Sequence, residues 1–149
     1  MIRLERTDSN HSDFQMLVAV LDKDLKIRDG EDHAFFAQFN KTDTIKHVVV
    51  AYENDVAVGC GAIKHYDEKT MEIKRMFVLV PYRGNGIASS VLAELETWSR
   101  ELNYQQCILE TGEKQPEAIR LYHKNHYTVI PNFGQYAGVI SSVCFQKTL

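Results

Sequence analysis

Cysteine is scarce in this chain: Cys60, Cys107 and Cys144 are an odd number that cannot all pair. Each lies in an apolar stretch, so they read as small buried residues of a reducing compartment, not as a disulfide framework. Proline is equally rare, and Pro81, Pro116 and Pro131 all fall at expected element boundaries. Long apolar runs are missing as well. No stretch nears the roughly 20 residues that a membrane-spanning helix needs, and the opening MIRLERTDSN has no apolar signal core. Positive charge is not in excess; a net charge of −3 gives no general pull toward nucleic acid or an anionic membrane, so any anion site must be built locally. Repeats, low-complexity tracts and linkers are absent too. What remains is a chain of 149 residues, 44% apolar and 25% charged, enough for one domain over 1–149 with its own core. Its expected place is the cytoplasm, without nucleic-acid or membrane partners.

Periodicity supplies the elements. Ile2 to Arg6 alternates as a short strand, and Phe14, Leu17, Val18, Leu21 and Leu25 fall on one face of a helix over Ser12 to Leu25. A short helix is expected over Glu31 to Phe39. His47 to Tyr52 and Val56 to His65 read as strands joined by an Asn54-Asp55 hairpin turn, and Met71 to Leu79 as the next strand. A helix follows from about Gly86 to Glu101, then a strand at Gln105 to Glu110 and a helix at Pro116 to Asn125 with Pro in its first turn. Short strands near Thr128 to Ile130 and Ser142 to Lys147 close the chain. The order β-α-α-β-β-β-α-β-α-β-β predicts an α/β domain on a mixed, partly antiparallel sheet, with helices on both faces.

Between the third hairpin strand and the long helix stands VPYRGNGIASSVL, Val80 to Leu92. Two glycines there weaken both neighbours unless the chain must turn sharply or let something approach its backbone. A helix N-terminus offers unpaired N–H groups and the positive end of its dipole, a setting suited to phosphate. Gly84 and Gly86 would let successive N–H groups converge on one anion, and Arg83 adds a fork suited to phosphate oxygens. A P-loop would require a lysine that is not there, and a dinucleotide fingerprint would require Gly where Ser89 stands.

The segment Arg83-Gly84-Asn85-Gly86-Ile87-Ala88 resembles the pyrophosphate loop of the GNAT N-acetyltransferase superfamily, Gln/Arg-x-x-Gly-x-Gly/Ala, at each specified position. MEIKRMFV resembles that family's fourth strand, and LETGEKQPEAIRLYHKNHY its fifth strand and following helix. The resemblance implies that acetyl-CoA lies in a V where the fourth and fifth strands splay apart at a bulge. It implies that backbone groups of Phe77 and Val78 hold the pantetheine arm and polarise the thioester carbonyl, as an oxyanion hole does. It also implies attack of the acceptor amine through a tetrahedral intermediate, with Tyr122 as the general acid that protonates the departing thiolate. Glu72 stands where some family members place a base, and Glu110 is a second candidate; an acceptor already free of its proton would need neither.

Strict alternation would put Glu72, Lys74 and Met76 on one face and Ile73, Arg75 and Phe77 on the other. The chain departs from the family pattern in two places. Gln115 stands where Asn often begins the last helical block, and could still reach a CoA amide. His126-Tyr127 replaces Gly-Phe, so the helix must end on Asn125 or His126 in left-handed conformation. His123 and His126 have helical metal-ligand spacing but no third ligand, so no metal is expected. Lys114, Arg120 and Lys124 could attract the adenosine 3′-phosphate or simply form an exposed face. Asp22, Asp24, Asp29, Glu31 and Asp32 hint at a cationic acceptor, though a solvated segment gives the same letters. Phe133, Gln135 and Tyr136 are placed to cap the acceptor pocket. The expected activity is acetyl-CoA-dependent N-acetylation of a small-molecule amine. The alternatives are a protein lysine or N-terminus as acceptor, or a CoA-binding sensor without turnover. Many relatives pair through their sheets, so a homodimer stays open.

Overall fold

The computed structural model describes residues 1–30 and 45–149. Its elements are β1 (Ile2–Thr7), α1 (Ser12–Asp29), β2 (His47–Glu53), β3 (Val56–Asp67), β4 (Thr70–Val78), α2 (Ile87–Glu101), β5 (Gln106–Gly112), α3 (Pro116–Lys124), β6 (Thr128–Ile130) and β7 (Ser142–Thr148). The expected helix over Glu31 to Phe39 lies outside the described residues. Every other predicted element is present, with ends shifted by a few residues.

The strands form one sheet in the order β1-β2-β3-β4-β5-β7-β6. All neighbours are antiparallel except β4 and β5, which α2 links as a parallel crossover. Hairpin turns account for the first half: Asn54 and Asp55 both take left-handed φ values, 50° and 66°, as a tight two-residue turn requires. The sheet is buried on both sides. Val48, Val50 and Tyr52 cluster with Phe14, Leu17 and Leu21 of α1. Val49 and Ala51 cluster instead with Val91, Leu92 and Leu95 of α2 and with Tyr122 of α3. Alternating side chains of β2 thus serve two cores, which explains why this strand is apolar throughout.

One irregularity sets up everything that follows. On β3, Cys60 pairs with Phe77 and Ala62 with Lys74, so Gly61 faces two β4 residues, Arg75 and Met76. This is a β-bulge, and Arg75 adopts φ 58° to accommodate it. The extra residue overturns the strict alternation expected from sequence. Met76 packs toward the α2 cluster with Met71 and Ile73, whereas Phe77 packs toward α1 and Arg75 reaches Asp22 of α1. Gly61 is required opposite the bulge: a Cβ there would lie 2.5 Å from Met76 Sδ and 2.8 Å from Leu95 Cδ1. Gly61→Ala should therefore destabilise the protein by about 1–3 kcal/mol through overpacking. The corresponding fall in Tm, roughly 3–10 °C, is readable by calorimetry; an unchanged Tm would mean that the bulge relaxes freely.

β4 and β5 pair only through Thr70–Gln106, Met71–Cys107 and Glu72–Ile108. Past Glu72 they part, and the sheet opens into a V.

Candidate active site

Two cavities flank the open V. The larger, about 410 Å³, lies on the side of the glycine segment; the smaller, about 90 Å³, is bounded by Glu72, Lys74, Arg75, Glu110 and Tyr136. They meet at a shared wall that includes Met76, Gln115 and Tyr122.

The larger cavity gathers the residues predicted to hold a cofactor. Phe77, Val78, Arg83, Gly84, Gly86, Ile87, Ala88 and Gln115 all line it, and Asn85 does not. Asn85 is exposed and donates from Nδ2 to the Tyr82 carbonyl at 3.3 Å, tightening the turn. Gly84 and Gly86 have φ values of 85° and 78°, the left-handed turn expected of a backbone nest. Gly86 is the N-cap of α2 and supplies no side-chain acceptor. Ser90 N is the first amide bonded back into the helix, to Gly86 O. The earlier amides of the turn are the free donors of a helix N-terminus, aimed where an anion would sit. The fit to a diphosphate is good at the backbone.

Arg83 behaves differently from expectation. Its Nε donates to the Val78 carbonyl at 2.8 Å and its guanidinium lies 5.5 Å from the Phe77 ring. Much of its fork is thus used to brace the end of β4, and only its Nη groups are left to meet phosphate. Gln115 is the N-cap of α3 yet makes no side-chain cap bond. Arg120 and Lys124 are exposed beside the larger cavity, whereas Lys114 is not on its wall.

Tyr122 is buried, with 5% exposure, and its ring packs 5.7 Å from both Tyr127 and Phe145. Burial first, and then the nearby Glu110 carboxylate, push its phenol above the usual tyrosine range. Tyr136 is raised for the same reasons, by burial and then by Glu110 and Glu72. Glu72 is buried and stands 3.6 Å from Lys74 Nζ. Glu110 accepts a 2.6 Å hydrogen bond from Ser142 Oγ. Both base candidates therefore reach the smaller cavity. Of the late loop, Tyr136 lines it, while Phe133 stacks edge-on against Tyr136 and Tyr66 and, like Gln135, stays off the wall.

The sequence departures have structural answers. His126 takes the left-handed position, φ 71°, with Asn125 as C-cap. Asn125 Nδ2 also donates to Ser89 Oγ at 3.1 Å, tying the end of α3 to the start of α2. Tyr127 donates its hydroxyl to Glu96 Oε2 at 2.8 Å, and Lys147 Nζ donates to Oε1 of the same carboxylate. His123 packs edge-on against Phe145. Among the described residues no group of three or more His, Cys, Asp or Glu is placed to hold a metal, and no helix is long and apolar enough to cross a membrane. Two members of the acidic segment have partners: Asp22 pairs with Arg75, and Asp24 with Arg28, which also meets Glu117. Glu31 and Asp32, with the Asp29 side chain, lie outside the described part.

The three cysteines are buried and free. Burial raises their thiols from the ordinary 9.0, Cys60 to about 12 and Cys107 and Cys144 to about 11, so none is a ready nucleophile. The folded state therefore keeps protons that the unfolded state gives up above pH 9. Stability should be complete below that value and fall as pH rises through 11 to 12. Tm measured from pH 8 to 11 checks this, and replacing the cysteines by alanine should flatten the decline; a level Tm would contradict it.

The profile of the Acetyltransferase (GNAT) family matches residues 14–127. The chain belongs to the GNAT family. It is 35% identical to an IAA acetyltransferase of Azospirillum brasilense over 102 residues, 68% of this chain and 67% of that one. The GNAT fold agrees with solved structures. One is a Klebsiella pneumoniae protein assigned to the acyl-CoA N-acyltransferases (TM-score 0.83, 28% identity, 100% of this chain and 98% of that chain covered). Another is the PaiA N-acetyltransferase of Thermoplasma acidophilum, in complex with coenzyme A (TM-score 0.74, 16% identity, 100% and 99% covered). A third is an Elizabethkingia anophelis GNAT acetyltransferase with acetyl-CoA bound (TM-score 0.71, 16% identity, 99% and 98% covered).

The residue that sequence reasoning passed over is Arg75. In the sequence it reads as one more charged residue in an alternating strand. Its bulge position becomes visible only when β3 and β4 are paired.

Proposed function

We propose that this GNAT protein transfers the acetyl group of acetyl-CoA to the primary amine of a small molecule. The observation that carries this reading is Tyr122 on the wall common to the two cavities, one bordered by the amide nest of α2 and the other by two carboxylates. In this arrangement the amides after Gly86 bind the diphosphate, and backbone groups of Phe77 and Val78 hold the pantetheine arm and meet the charge that develops on the thioester oxygen. The amine approaches from the smaller cavity, giving its proton to Glu72, Glu110 or solvent. Nitrogen bonds to the carbonyl carbon, the carbon–sulfur bond breaks, and the Tyr122 hydroxyl supplies the proton that the sulfur takes up. Acetyl-CoA in the Elizabethkingia relative and coenzyme A in the Thermoplasma relative support the assignment of the larger cavity.

The test is thiol release from acetyl-CoA in the presence of an amine panel, with coenzyme A binding measured separately by calorimetry. Release that depends on a small amine is expected. Tight binding without release from any amine would overturn catalysis and leave a sensor; release only with peptides would move the acceptor to a protein.

A further inference from the structure

Arg75 is an unusual residue to find at a bulge. It is not glycine, yet it holds a left-handed backbone, φ 58°, a conformation that side-chain-bearing residues adopt at a cost and that concentrates at functional sites. Its side chain is 2% exposed. Of three guanidinium nitrogens, Nη2 meets Asp22 Oδ1 at 2.5 Å, while Nε and Nη1 are buried with no hydrogen-bond partner among the described residues. Asp22 answers only part of that charge, because its own side chain is 53% exposed and shared with solvent.

A guanidinium has five N–H donors and no acceptor, so what completes it must be an acceptor, and its fixed charge selects an anion. An orphaned buried donor is costly, and more so when charged. Arg75 lines the smaller cavity beside Glu72, Lys74 and Glu110. Glu72 already has Lys74 as counterion at 3.6 Å. The carboxylate of Glu110 stands on the same wall and would oppose a dianion such as phosphate, which leaves a singly charged group as the better guest. A cavity of about 90 Å³ suits a small head group. The same wall thus includes Arg75, whose buried Nε and Nη1 lack partners, and two carboxylates that a protonated amine could approach.

We propose that the acceptor carries a carboxylate as well as its amine, and that Arg75 is the residue that selects for it. The inference rests on the smaller cavity being the acceptor side, as set out above. The bulge then has a chemical purpose: it turns Arg75 toward α1 and the acceptor, away from the face that strict alternation would have given it with Ile73. Arg75 touches no reacting atom in this scheme. It positions the acceptor, so its removal should act through KM for the acceptor more than through kcat.

Amino acids are assayed against their own carboxamides by thiol release, using α-, β- and γ-amino acids to scan the spacing. The amide has the less basic amine, so a preference for the acid cannot come from a larger supply of free amine. The acid is expected to be favoured in kcat/KM by about 10- to 100-fold, the range for a hydrogen bond to a charged group. Arg75→Gln should erase that preference by raising KM for the acid, leave the amide rate nearly unchanged, and leave coenzyme A affinity unaltered; Arg75→Lys should restore part of it. Equal use of acid and amide by the unmodified protein would overturn the proposal, and that ratio decides even if a variant fails to fold. An Arg75→Gln variant that slows both substrates equally would overturn it too. If no amine releases thiol, the acetyl-transfer reading fails by itself. N-acetyl amino acids are then titrated into the coenzyme A complex. Saturable binding that Arg75→Gln abolishes would uphold the carboxylate site, and no binding would overturn it.

Discussion

Tyr122→Phe should lower kcat by about 100- to 10,000-fold, the usual contribution of a positioned general acid, while coenzyme A binds as before. The change deletes one oxygen and preserves the ring, whose contacts with Tyr127 and Phe145 are edge-on or tilted at 5.7 Å and need no hydroxyl. Stability should move little, so a fall in turnover would be chemical in origin. The pH profile separates this role from a structural one. A general acid works only while protonated, and burial together with Glu110 holds the Tyr122 phenol above the usual tyrosine range. Its proton is therefore retained through the neutral and mildly alkaline range, and kcat should show no alkaline decline below about pH 10 that Tyr122→Phe removes. Wild-type and variant enzymes are compared by steady-state thiol release from pH 6 to 10, with acceptor saturating. Turnover within threefold of wild type would remove Tyr122 from the chemistry and leave it as a packing residue.

The split between what the sequence discloses and what it conceals follows from range. Local patterns are legible: the apolar stripe from Phe14 to Leu25 announces α1, the Asn54-Asp55 pair announces a hairpin, and Gly84 with Gly86 announces a left-handed turn at a helix start. Each depends on neighbours within one or two turns of chain. Arg75 is different. Its phase along β4 depends on how many residues of β3 stand opposite, and that is settled by Gly61, whose missing side chain makes room between Met76 and Leu95. Period-two counting cannot register an inserted residue, so it sends Met76 to the face with Glu72 and Lys74, whereas the paired strands send Phe77 there. Arg83 shows a related limit. A motif names the residue suited to phosphate, but it does not show that the Val78 carbonyl has engaged Nε at 2.8 Å. Two residues of the acidic stretch show the same limit. Asp22 and Asp24 look like bait for a cation until Arg75 and Arg28, distant or local, are found holding them.

Gly86→Val should weaken coenzyme A by about 1,000-fold while leaving the fold intact. No protein atom lies within 4 Å of a Cβ built on Gly86, so the substitution meets no steric block inside the molecule. Its effect comes from φ 78°, a left-handed backbone that valine resists. The resulting shift of the turn misaims the amides that open α2. Losing aim at two such donors, each about 1.5–3 kcal/mol when the partner is charged, with strain of about 1–2 kcal/mol, amounts at the low end of these ranges to roughly three powers of ten in affinity. Ala88 and Ile87 follow immediately and depend on the same turn, whereas Asn85, exposed and bonded back to Tyr82, should tolerate Asn85→Ala with a change of only a few fold. Calorimetric titration of coenzyme A into the three proteins reads these differences directly, and circular dichroism reports whether α2 persists. The contrast between positions 85 and 86 matters more than either value. A diphosphate held by side chains would respond to both residues alike, but one held by main-chain amides responds to the glycine alone. Equal losses at the two positions would mean that the backbone is not the anion's grip, and with that the larger cavity would lose its claim on the cofactor.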